Sequence, residues 1–150
     1  MSYSSIEDYL HSDLNKRWKY FKFSDMLFSE TAFKLHINNA IPPEYVDNAV
    51  FQLDCLNELR TFFPHAITIT SGYRCPKLNI AVGGVKNSKH LTASAVDIVL
   101  SRSNLNTNVK RHSICYYLVN SEIPFNKIIF EPSWLHIEFS KDNKRIIIGR

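Results

Sequence analysis

The sequence predicts an α+β fold: a small, mainly antiparallel sheet flanked by helices. Helix-type spacing dominates the N-terminal half, strand-type runs crowd the C-terminal third, and two of those runs lie close enough to form a tight hairpin. At 150 residues, a single domain spanning 1–150 with a sizeable core is expected.

The elements follow in order. Residues 5–18 can form a short helix, and Ser24 or Asp25 can cap another after Phe23. Ser29-Glu30-Thr31-Ala32 starts a further short helix that ends before Asn38-Asn39. A long helix opens at Pro42-Pro43-Glu44, where proline is tolerated in the first turn. Val46, Ala49, Val50, Leu53, Leu56, Leu59 and Phe63 then recur at three- and four-residue steps, and Pro64 stops the run. Ala66 to Thr70 alternates as a short strand, Arg74 to Gly84 reads as a loop with a helical turn, and Ala95 to Leu100 reads as a strand. Asn106 or Thr107 can cap a helix reaching about Asn120. The last strands are Lys127–Glu131, Trp134–Phe139 and Arg145–Ile148, with only Pro132-Ser133 between the first two.

Composition narrows the function classes. There is no apolar stretch of about 20 residues, so no membrane insertion is expected. The N-terminus has no basic region leading into an apolar one, because Glu7, Asp8 and Asp13 interrupt it. Synthesis in a cytoplasm without a signal peptide is the expectation. Cys55, Cys75 and Cys115 form no CxxC pair, which fits a reduced protein without a disulfide framework. A nucleophilic Cys75 beside Arg74 lacks a histidine in an evident partner motif. The net charge of +4 is spread out, and no nucleic-acid-binding motif accompanies it. That mild basicity equally suits an anionic polymer such as a cell wall. A monomer that binds no nucleic acid is expected.

Strand periodicity sorts the hairpin side chains. Leu135, Ile137 and Phe139 face the core, while Trp134, His136 and Glu138 face the other way, since residues two apart share a face. A two-residue loop pairs Glu131 with Trp134, Ile129 with His136 and Lys127 with Glu138. Glu131 then neighbours His136 diagonally, at roughly 7–8 Å. Glu138 is expected to form a cross-strand ion pair with Lys127, the alternative being a partner for a histidine ligand. Asp97 sits among apolar neighbours, where a carboxylate must be paired or bound to a metal. Two imidazoles, His90 and His136, with the Asp97 carboxylate and a water would complete the open tetrahedral shell of a catalytic zinc. Taken singly, each has a plainer reading: a solvated loop histidine, a strand histidine and a salt-bridged aspartate.

Their company separates these readings. Ser71-Gly72-Tyr73-Arg74, then Leu78-Asn79 with Val82-Gly83-Gly84, then Ser88 with His90, Ala95 with Asp97, and Trp134-Leu135-His136 occur in that order. The set resembles the zinc D-Ala-D-Ala carboxypeptidase-like peptidoglycan peptidases, the group containing D,D-carboxypeptidases and phage endolysins. Met26 to Ala32, Asn39 to Pro42 and Leu56 to Arg60 look like the same group.

The resemblance implies a D,D-peptidase/hedgehog-like fold, zinc as cofactor, and His90, Asp97 and His136 as its ligands. It implies that Arg74 holds a substrate carbonyl or carboxylate and stabilises the oxyanion. Ser88 would brace the ligand loop, with Asp97 as its expected hydrogen-bond partner. Tyr73 and Trp134 either line the cleft or pack under the sheet edge. The family's general base often stands three residues before the last ligand, which here is Ser133, so Glu131 is the nearest candidate. Ala93 stands where the family usually has a glycine, a residue that accepts positive φ freely. The implied activity is hydrolysis of an amide bond in peptidoglycan stem peptides or cross-links, on the wall after release from the cell. The alternative is a catalytically inactive, metal-holding module that binds cell wall or protein.

Overall fold

The computed structural model describes residues 13–149. The helix expected over 5–18 therefore lies largely outside the described residues; the part inside is a 3-10 turn, Asp13–Lys16. A second such turn spans Phe23–Met26. Here the expected cap is corrected. Asp25 lies inside the turn, and its carboxylate reaches back to accept the Lys22 amide at 2.8 Å, satisfying a donor ahead of the turn.

Helix α1 (Glu30–Leu35) starts as expected, with Ser29 Oγ accepting the Ala32 amide, and closes with His36 in the left-handed region at φ 55°. Helix α2 (Val46–Phe62) follows a proline-led 3-10 turn, Pro43–Tyr45. Its buried stripe of Val46, Ala49, Leu53, Leu56 and Leu59 is the one its spacing predicts. Helix α3 (Pro76–Ala81) replaces most of a predicted loop. Proline stands at its start, Cys75 Sγ accepts the Leu78 amide, and Leu78 is fully buried. One anchored side chain thus organises a segment whose pattern is too short to read as a helix. Helix α4 (Asn108–Val119) is capped by Thr107, whose hydroxyl accepts the Lys110 amide.

The strands are β1 (Ile67–Ser71), β2 (Val96–Leu100), β3 (Phe125–Phe130), β4 (Leu135–Phe139) and β5 (Ile146–Ile148), ordered β1-β2-β4-β3-β5. Every pairing is antiparallel except β3 with β5. Strand β3 begins directly after Pro124, earlier than its pattern indicated, and leaves Glu131 in the turn. The hairpin register is nonetheless the one that period-two alternation and a two-residue loop predict. Lys127 lies opposite Glu138 and Ile129 opposite His136, and the Glu131 amide donates to the Trp134 carbonyl at 3.1 Å.

The two faces of the sheet have different fates. Ile98, Leu100, Leu135, Ile137 and Ile128 bury one face in the core with Leu53, Leu56 and Leu59 of α2 and Ile114 and Leu118 of α4. Truncating such a leucine to alanine costs about 2–5 kcal/mol. Gln52, also buried, joins α2 to the end of β4 by donating to the Phe139 carbonyl and accepting its amide, at 2.9 and 3.1 Å. With the core on one side, every second residue of β2 and β4 is left to build something on the other.

All three cysteines are free thiols. Burial, with help from the nearby Glu58 and Asp54 carboxylates, pushes the Cys55 thiol up to about 12. Cys115 is also buried and shifted upward, whereas Cys75 is partly exposed. Brief alkylation of the native protein at pH 8, mapped by mass spectrometry, should label Cys75 well before Cys55. Modification of Cys55 at the rate of the unfolded chain would contradict this packing.

Candidate metal centre

Sheet register builds most of the site. Ser71 on β1, Asp97 on β2, His136 on β4 and Ile129 on β3 are consecutive cross-strand partners, so they form one row across the sheet. A bulge between Ile69 and Ser71 in the β1–β2 pairing brings Ser71 into that row. The row lies on the face opposite Ile98 and Ile137.

His90 comes from outside the sheet, on a 3-10 turn spanning Lys89–Thr92. That turn is fastened to the end of β1 twice. The Arg74 amide donates to the His90 carbonyl at 3.0 Å, and His90 Nδ1 lies 2.7 Å from the Gly72 carbonyl oxygen. Since a carbonyl can only accept, Nδ1 carries the proton and Nε2 keeps its lone pair. Gly72 is required here, because a Cβ would fall 2.5 Å from the Met26 carbonyl oxygen.

The three groups converge. Asp97 Oδ1 lies 2.9 Å from His136 Nδ1 and 3.2 Å from His90 Nε2. Despite that proximity, His90 Nε2 has no hydrogen-bond partner, and it is fully buried. One nitrogen, one oxygen and a second nitrogen, from His90, Asp97 and His136, all lie within 4.8 Å of one another. An orphaned buried imidazole lone pair is costly unless something electrophilic meets it. The donor set of two imidazoles and a carboxylate fits zinc, and these are the residues that would hold it.

The electrostatics describe the same centre. Burial pushes the Asp97 carboxyl up, but the hydrogen bond from His136 and the close approach of both imidazoles outweigh it and hold the group well below the usual carboxylate range. Burial lowers the His136 imidazole, yet hydrogen bonds to Asp97 and Glu138 raise it to about 9. Arg74 braces the other Asp97 oxygen: Nη2 donates to Oδ2 at 3.2 Å, Nε to Ser71 Oγ at 2.9 Å and Nη1 to Asn79 Oδ1 at 3.3 Å. Gly84 leaves room for Asn79, whose amide group a Cβ there would overlap.

A cleft of about 520 Å³ opens over the row. Its lining includes Arg74, Ser88, Trp134 and Glu131 together with the three converging groups, and Val82, Gly83, Gly84 and Val85 form one wall. Tyr73 requires a correction. It is 4 % exposed, belongs to the core, and packs near Tyr45 with ring centroids 6.3 Å apart, so the packing alternative holds for it. Ser88 does brace the ligand turn, but its hydroxyl accepts the His90 amide at 3.2 Å and makes no bond to Asp97. The expected Glu138–Lys127 ion pair is also corrected. Glu138 Oε2 lies 2.8 Å from His136 Nε2, and Lys127 acts on Glu138 only through its nearby charge. Sequence reasoning missed Asn79, which holds both Arg74 and the Val85 carbonyl; only its place in the Leu78-Asn79 motif hinted at it.

The family model described as Peptidase M15 matches residues 19–127. The matched span contains Arg74, His90 and Asp97; Glu131, His136 and Glu138 lie beyond it. Among curated proteins, none matches the chain.

Two expectations follow from this geometry. Ala93, fully buried, sits at φ 57° at the end of the ligand turn. A left-handed alanine costs about 1–2 kcal/mol, and its buried methyl returns about 0.8 kcal/mol. Ala93→Gly should therefore move stability by about 1 kcal/mol or less. Ala93→Val adds bulk and a branched Cβ and should cost about 2 kcal/mol or more; urea unfolding distinguishes the two.

In the metal-stripped protein, the raised His136 value means its contribution is fully present below about 6.5 and is lost as pH rises through about 9. The depressed Asp97 value means its contribution is present above about 3.9 and is lost in acid. Thermal unfolding should thus show a lower midpoint at pH 9.5 than at pH 6.5. The His136 ring should titrate near 9 by NMR, and a midpoint below 7 would contradict the bridged arrangement.

Proposed function

Because the chain belongs to the peptidase M15 family, whose members are zinc-dependent, we propose that it hydrolyses an amide bond in peptidoglycan stem peptides or cross-links, as a D,D-carboxypeptidase or endopeptidase of endolysin type. The observation that carries this reading is the convergence of His90, Asp97 and His136 around a buried, unsatisfied imidazole nitrogen at the floor of an open cleft. When bound there, zinc supplies Lewis-acid polarisation of the scissile carbonyl and makes a water far more acidic.

The chain's own groups do the rest. Glu131, in the turn beyond β3, takes the proton of the attacking water and delivers it to the leaving amine. Glu131 lines the cleft two residues beyond Ile129, the cross-strand partner of His136, and that position supports the role. Arg74 engages Ser71, Asn79 and Asp97 through three N–H groups, and a guanidinium has five, so donors remain for the oxyanion. Trp134 and the Val82–Val85 wall exclude water from one side of the substrate peptide. The mildly basic surface suits an anionic wall, which the protein reaches after release from the cell that makes it.

Mass spectrometry of muropeptides tests this directly. The zinc-loaded protein should release stem-peptide fragments, Glu131→Gln should keep zinc and lose at least about 100-fold in rate, and His90→Ala should lose both zinc and hydrolysis. Full activity in the Glu131 variant would remove it as the base. Zinc binding with no fragment from the unmodified protein would leave a wall-binding module instead.

A further inference from the structure

The buried carboxylate of Glu138 has no part in the chemistry described so far. It follows His136 by two residues on β4, so both side chains project from the same face. Its Oε2 is 2.8 Å from His136 Nε2, and the residue is 9 % exposed. A carboxylate at neutral pH can only accept, so His136 donates from Nε2. In the metal-free protein Nδ1 donates as well, to Asp97 Oδ1; with a cation in place of that proton, the Nε2 bond would fix the tautomer and leave the Nδ1 lone pair directed at the point where Asp97 Oδ1 and His90 Nε2 also meet.

From this geometry we infer that Glu138 is a positioning residue for the metal centre, setting the tautomer and ring orientation of His136. The inference rests on the zinc reading of the site.

Three further observations bear on it. The other histidine is held the same way by a different acceptor: His90 donates from Nδ1 to the Gly72 carbonyl and presents Nε2. The two rings thus use opposite nitrogens, and each outward nitrogen has an acceptor within 2.8 Å. A carboxylate behind His136 also strengthens that ring as an electron donor more than a carbonyl would. Finally, Glu138 sits where the cleft meets a neighbouring groove of about 450 Å³ lined by Asp47, Asn48, Phe51 and Lys141. It approaches His136 from the ring nitrogen that points away from Asp97, which separates it from the general-base role given to Glu131.

The test compares Glu138→Gln and Glu138→Ala with the unmodified protein in two measurements. Zinc dissociation constants come from chelator competition, and nitrogen-15 NMR of the His136 ring is recorded with zinc bound. The unmodified protein should show a protonated Nε2 protected from exchange with water. Glu138→Ala should weaken zinc binding about 10- to 100-fold and lose that protection. Glu138→Gln, which keeps an acceptor of the same shape, should recover part of both. A carboxylate needed only for packing would lower the melting temperature and leave the dissociation constant and ring protonation unchanged; that result overturns the inference while the zinc reading stands. An unmodified protein that binds no zinc overturns both.

Discussion

The Asp97 carboxylate is the point on which the structure turns. It is a buried anion on the second strand of the sheet, and nothing in an apolar interior tolerates such a charge alone. Each of its oxygens is assigned. Oδ2 faces the Arg74 guanidinium, and Oδ1 faces two imidazoles. Removing any one partner leaves a desolvated charge short of compensation, which is more damaging than the net worth of the pair. The surrounding segments are therefore constrained jointly. β1 must bulge to bring Ser71 level, α3 must deliver Asn79 to Arg74, and the Lys89–Thr92 turn must lower His90 from above.

That arrangement also explains why the two histidines differ so much in exposure to charge. His136 lies between two carboxylates, Asp97 on one ring nitrogen and Glu138 on the other. His90 lies between a carbonyl and the same aspartate. In the metal-free protein the first ring is stabilised as a cation, whereas the second presents a bare lone pair. A divalent cation would replace the imidazolium proton as the positive charge that Asp97 requires, so the same pocket is balanced with either occupant.

How much of this could be read from the chain depends on the range of the rule used. Period-two alternation and a two-residue loop fixed the hairpin register, and that register alone placed His136 opposite Ile129 with Glu131 beyond. The stripe of α2 was legible because it repeats over many turns. Local rules failed where a distant atom decides the outcome. Tyr73 is polar enough to line a cleft, but its amide bonds to Met26 and its ring is drawn into the core. Glu138 had a plausible charge opposite it in Lys127, and only the height of the His136 ring shows which neighbour it reaches. Helix α3 escaped notice because six residues hold too little periodic signal. The candidate ligand set became legible through the order of several short motifs, since no spacing rule links a loop histidine to residues on two strands.

The contact between Gly72 and Met26 carries a consequence for how the protein tolerates change. Met26 belongs to a turn far upstream of the cleft, yet its carbonyl accepts the Tyr73 amide at 2.7 Å and its backbone abuts Gly72, whose own carbonyl steadies the first histidine. A disturbance of that remote turn is relayed through two peptide units to an imidazole. Variation around Phe23–Met26 would consequently register as damage to the site, although none of those four residues lines the cleft.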